Sequence, residues 1–125
     1  MKNSATIFFG LFVAAMLLLP GNALAHAFLD HADPRVGSEV DKPPKEIKIW
    51  FTEEVEPAFS TIEVYDSNDN QIDLKDTHQD PNDKKLLIVS VPALGNGEFK
   101  VIWSVVAIDT HHTHGDFKFT VKSNG

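Results

Sequence analysis

The sequence predicts an all-β fold, an antiparallel sandwich or barrel, on three observations. From residue 45 onward, short apolar runs alternate with polar residues at a period of two. Turn-forming residues separate these runs at roughly 8–12 residue spacing, the rhythm of β-sandwiches and barrels. No window of about 11 residues or more beyond residue 25 carries the 3.6-residue apolar period of an amphipathic helix.

The first element is not part of that fold. Lys2 is followed by an almost unbroken apolar stretch over residues 7–19, then Pro20, Gly21 and the triplet Ala23-Leu24-Ala25. A basic start, a short apolar core and a small-x-small exit form a secretory signal peptide, with cleavage expected after Ala25. A transmembrane anchor would need about 20 apolar residues, and this run is shorter and ends in a helix breaker. The expected organisation is therefore a cleaved signal peptide over residues 1–25 and one domain over residues 26–125.

Within that domain Ile47, Ile49 and Phe51 alternate with Lys48 and Trp50, and Ile62 and Val64 alternate with Glu63 and Tyr65. Asp66-Ser67-Asn68-Asp69-Asn70 is a dense turn signal, after which Ile72 and Leu74 resume the alternation. Residues 76–85 are polar and contain Pro81, and read as a long surface loop. Residues 86–91 form an apolar run suited to a buried strand. Gly95-Asn96-Gly97 turns the chain into Phe99, Val101, Trp103, Val105 and Ala107, and Phe117, Phe119 and Val121 alternate again near the end. The tryptophans and most phenylalanines lie in strand patterns, so their default role is core packing.

Composition narrows the chemistry. With Lys2 removed, 10 basic and 18 acidic residues remain, a formal charge of −8 at pH 7. Such a balance disfavours nucleic acid and anionic membrane surfaces, suits cations, and also simply keeps a protein soluble. Cysteine is absent, and both methionines, Met1 and Met16, lie in the signal peptide. The mature chain thus has no sulfur. That excludes iron–sulfur clusters, thiolate zinc and a soft site for copper(I), leaving nitrogen and oxygen as metal donors.

Six histidines remain: His26, His31, His78, His111, His112 and His114. Three fall in Asp109-Thr110-His111-His112-Thr113-His114, between one strand expected to end near Ile108 and another expected to start at Gly115 or Asp116. Residues two apart in an extended chain share a face. Asp109 would then project with His111, and His112 with His114 on the opposite side. Taken alone, the cluster is equally a polar turn with solvated imidazoles. His26 adds weight to the metal reading, because cleavage after Ala25 frees its α-amine. One residue then offers amine and imidazole in a single chelate. With a carboxylate and a further imidazole, the set becomes the nitrogen-rich tetragonal environment that copper(II) prefers.

These residues resemble the copper-resistance protein C (CopC) domain family. The likeness runs through His26-Ala27-Phe28-Leu29, Asp33-Pro34, Gly37-Ser38, Pro44, Ile47-Lys48-Ile49-Trp50-Phe51-Thr52-Glu53 and Phe59-Ser60. Its most specific parts are Trp103-Ser104-Val105-Val106-Ala107-Ile108-Asp109-Thr110-His111 and Gly115-Asp116-Phe117-Lys118-Phe119. The resemblance implies an immunoglobulin-like Greek-key sandwich or barrel of about seven antiparallel strands. It implies a soluble periplasmic protein that binds copper(II) through His26, Asp109 and His111, with Glu53 an acidic neighbour rather than a ligand. It also implies a membrane copper transporter of the CopD type as partner, with no stable membrane insertion of the mature chain. This sequence departs from the family's pattern in carrying His112 where proline is common, in adding His114, and in lacking a methionine-rich segment.

Two other classes compete with a copper carrier. Copper monooxygenases also place an N-terminal histidine chelate on a β-sandwich, but need an open coordination position and a substrate platform; here Asp109 would fill a position and the domain is small. A metal-free immunoglobulin-like interaction module predicts instead that His26, Asp109 and His111 lie far apart. The expectation is a binding protein, not an enzyme.

Overall fold

The computed structural model describes residues 26–124; the expected signal peptide lies outside the described residues. The elements are β1 (Leu29–Asp33), β2 (Glu39–Val40), β3 (Glu46–Phe51), a 3-10 turn (Pro57–Phe59), β4 (Thr61–Tyr65), β5 (His78–Asp80), β6 (Asp83–Ser90), β7 (Gly97–Val106) and β8 (His112–Val121). They form two four-stranded sheets, ordered β1-β3-β6-β5 and β2-β8-β7-β4. Among the described residues no helix is long and apolar enough to cross a membrane.

The period-two pattern becomes the core directly. In β3 the residues Ile47, Ile49 and Phe51 are buried, and in β4 Ile62 and Val64 are buried, because alternate side chains leave opposite faces of a strand. The long β7–β8 ladder pairs Phe99 with Phe119, Val101 with Phe117, Trp103 with Gly115 and Val105 with Thr113, and all eight except Gly115 are buried. Phe99 and Phe119 stack at 5.4 Å. Phe51 from one sheet meets Trp103 from the other edge-on at 5.4 Å, the arrangement favoured by ring quadrupoles. Gly115 is required by this packing: a Cβ there would lie 2.5 Å from the Trp103 ring.

The all-β, two-sheet expectation holds, with four differences in detail. Among the described residues there are eight strands, and two-residue β2 runs parallel to β8, tied by the Thr120 N–H to the Ser38 carbonyl at 2.9 Å and the Lys122 N–H to the Val40 carbonyl at 2.9 Å. Residues 76–85 are not a long loop but contain β5 and its tight turn into β6. That strand is short and sits at a sheet edge, where polar and charged side chains discourage its unpaired backbone from pairing with another chain. Ile72 and Leu74 are not in a strand. Their segment is fixed by a buried side chain, Asp73, and Leu74 stays 56% exposed. Finally, β8 starts at His112 rather than at Gly115 or Asp116. The alternation there reads histidine, threonine, histidine, glycine, which hides a strand from an apolar-period search. The buried run expected over residues 86–91 is present: Leu86, Leu87, Ile88, Val89 and Val91 are all buried.

Candidate metal centre

The site forms where the chain entering β1 crosses the turn between β7 and β8. Ala27 has no solvent exposure, and its carbonyl accepts a hydrogen bond from the Thr113 hydroxyl of β8. Thr52, just beyond β3, secures the same segment from the other side. Its N–H donates to the Phe28 carbonyl at 2.8 Å, and its Oγ1 accepts the Phe28 N–H at 3.0 Å and donates to the His26 carbonyl at 3.3 Å. A residue small enough to be swallowed by the core and held by Thr113, with Thr52 gripping its two neighbours, thus positions the side chain preceding it. His26 is half-buried, and its ring centroid lies 4.6 Å from that of His111, tilted by 40°.

The opposing half comes from the β7–β8 turn. The Thr110 N–H donates to the Ala107 carbonyl at 2.8 Å and the Ala107 N–H to the His111 carbonyl at 3.0 Å. Thr110 sits at φ +75°, the left-handed region where a β-branched residue is strained and glycine is preferred. This tight reversal, not an extended chain, brings Asp109 and His111 together. The Asp109 Oδ1 accepts the His111 N–H at 3.2 Å, and Asp109 Oδ2 lies 3.3 Å from His111 Nδ1.

Electrostatics follow from that geometry. Hydrogen bonding from the His111 backbone lowers the Asp109 pKa most, opposed by partial desolvation, with the His111 ring and the charges of His111 and His26 adding to the lowering. Asp109 therefore stays an anionic oxygen donor beside two imidazoles. Its side chain is 35% exposed and that of His111 45%, so both can reach an incoming ion. Among the described residues no three His, Asp or Glu side chains are gathered into a finished cage.

Glu53 is half-buried between the halves: its neighbour Thr52 bonds to His26, and the carbonyl of Glu54 accepts the Ile108 N–H at 3.3 Å. The other histidines are placed elsewhere. His31 stacks on Trp50 at 4.4 Å and meets Asp30 at 2.7 Å; His78 Nδ1 contacts the Asp76 carbonyl at 2.8 Å. His112 and His114 lie together on the outer face of β8. Sequence reasoning missed the anchors Thr52 and Thr113. Thr113 was findable, since a strand carrying outward His112 and His114 must turn Thr113 inward, where a hydroxyl needs a partner.

Comparison with known proteins agrees with this architecture. The CopC domain model matches residues 29–122. Protein YobA of Escherichia coli (strain K12) is 31% identical over 122 residues, 97% of this chain and 98% of that protein. Copper transport protein CutJ of Bacillus subtilis (strain 168) is 29% identical over 112 residues, 88% of this chain but 21% of CutJ. The crystal structure of CopC from Methylosinus trichosporium OB3b superposes with a TM-score of 0.76 at 30% identity, covering 80% of this chain and 97% of that one. PcoC from Escherichia coli, a methionine-rich copper resistance protein, gives 0.70 at 26% identity, covering 78% of this chain and all of its own. With the match spanning both sheets and the turn that carries Asp109 and His111, the chain belongs to the CopC domain family.

Proposed function

We propose that this is a periplasmic copper(II)-binding protein, not an enzyme, which captures copper in an oxidising compartment and either sequesters it or delivers it to a membrane transporter of the CopD type. Membership of the CopC family and the copper-named relatives support copper as the cargo. The observation that carries the site is the meeting of two segments 86 positions apart in sequence, with the His26 ring 4.6 Å from that of His111 and Asp109 beside it. In the proposed ligand set His26 contributes its α-amine and imidazole, His111 an imidazole and Asp109 a carboxylate.

Three nitrogens and one oxygen form the tetragonal set that copper(II) favours, and copper(II) heads the divalent affinity series. Two imidazoles and an amine disfavour magnesium and calcium, which want oxygen. Copper(I), a softer ion, finds no sulfur after residue 25, so reduction weakens binding and supplies a release step. Delivery in trans is consistent with CutJ, a copper transport protein of which a region similar to this chain makes up about a fifth.

The test isolates the amine. Protein beginning at His26 is titrated with copper(II) beside protein carrying one extra residue before it. The extra residue turns the amine into an amide, which binds copper only after a costly deprotonation. Affinity is expected to fall more than about tenfold, the least that losing even a group supporting a metal ligand costs. Thermal melts of the metal-free forms should coincide. Equal affinities would remove the amine from the site. Metal ligands must be deprotonated to bind, so copper(II) affinity should fall as pH drops.

A further inference from the structure

We propose that His112 and His114 form a second, weaker copper(II) site on the outer face of the β2-β8-β7-β4 sheet. The assignment does not depend on the ligand set proposed above. Both residues are exposed and lie in β8, flanking the buried Thr113, so their side chains leave the same face. That face is opposite to the one Thr113 presents to Ala27. The backbone beneath them is paired to β7, with Ser104 opposite His114 and Val106 opposite His112. Positions two apart on a strand are held about 6.6 Å apart, which brings the two rings into reach of one another.

The rings are already nearly in place. Their centroids are 5.9 Å apart, tilted by 30°. An ion bound at about 2.0–2.1 Å from each imidazole nitrogen sets two rings roughly 4.5–6 Å apart, so small side-chain rotations suffice. Ser104 Oγ lies 2.6 Å from His112 Nε2, which orients that ring and leaves Nδ1 as its open nitrogen, as outer hydrogen bonds do for ligating imidazoles. The next residue on this face, Asp116, is paired with Lys100 at 3.6 Å and is not needed. Two imidazoles completed by water make an open nitrogen–oxygen set that suits copper(II). Having fewer protein donors than the site at His26, it fills only at higher copper. The formal charge of −8 over residues 26–125 favours a second cation.

The experiment is a copper(II) titration read by calorimetry and electron paramagnetic resonance on protein beginning at His26, alongside His114→Ala, His112→Ala/His114→Ala and His111→Ala variants. The unaltered protein is expected to take up two equivalents. His114→Ala, which leaves the Ser104–His112 contact intact, should lose the weaker one and keep the tighter, as should the double variant. His111→Ala should weaken the tighter equivalent and keep the other. Saturation at one equivalent, or a second equivalent that survives His114→Ala, would overturn the assignment. Should a variant melt early, paramagnetic broadening of ring protons in the unaltered protein gives the answer. The second equivalent must broaden those of His112 and His114, and broadening elsewhere overturns the proposal. If His111→Ala leaves the tighter equivalent unchanged, the first site is misassigned while this one is still judged on His114.

Discussion

Two aspartates show how one side chain builds different things in different surroundings. Asp73, 7% exposed, sits in the crossing from β4 to β5 and accepts the Val64 N–H at 2.8 Å, the Gln71 amide at 3.1 Å and the Lys75 N–H at 3.2 Å. Its oxygens are committed to organising a segment that has no ladder of its own. Asp109 accepts one backbone N–H and faces one imidazole, at the surface and on a strained turn. Burial with full hydrogen bonding makes a carboxylate a structural part. Exposure with spare lone pairs makes it available to a ligand.

The largest expected effect tests that contrast directly. Asp73→Ala leaves three donors without their acceptor and should cost about 3 kcal/mol of stability by denaturant unfolding, while the folded fraction keeps its copper affinity. Asp109→Ala should do the reverse, with little change in stability and a copper affinity reduced by more than about tenfold. Parallel behaviour of the two variants would erase the distinction.

Thr113→Val sharpens the comparison, because it removes only the hydroxyl that holds the Ala27 carbonyl. A buried carbonyl without its partner should cost about 1–2 kcal/mol. Copper affinity should fall as well, since His26 is positioned through Ala27. Thr110→Gly acts in the other direction. Glycine accepts φ +75° without the steric penalty, so stability should rise by about 1 kcal/mol in thermal melts.

The smallest effect concerns pH. The Asp109 pKa is lowered from its ordinary 3.8, chiefly by the His111 backbone. Its contribution to stability is therefore complete above that ordinary value and is lost as pH falls through the lower folded value. Asp109→Asn keeps an oxygen for the His111 N–H but cannot titrate. Its metal-free acid unfolding curve should be slightly flatter below about pH 4, with no difference at neutral pH.

Much of this was legible in the sequence because alternation survives wherever a strand has one buried face. Ile47, Ile49 and Phe51, or Phe99, Val101, Trp103 and Val105, could be read as core without ambiguity. So could the nearness of Asp109 to His111, though the expected extended chain proved to be a turn through left-handed Thr110. What escaped reading lacked an apolar period. Edge strand β5 is polar, the start of β8 alternates histidine with threonine and glycine, and residues 71–77 take their shape from Asp73. The threonine anchors also escaped, because Thr52 and Thr113 act through hydroxyls aimed at backbone carbonyls, whose positions only the fold determines.

The burial of Ala27 has a consequence for binding thermodynamics. A chain terminus is ordinarily among the most disordered parts of a domain, and a ligand donated from such an end must lose that freedom when the ion arrives. Here Ala27, the residue immediately after His26, is locked into the core, so folding has already absorbed most of the ordering cost. In the proposed site only the rotations of His26 would remain to be frozen by the metal. In the proposed copper site that preorganisation would favour tight binding at a surface position without a deep cavity.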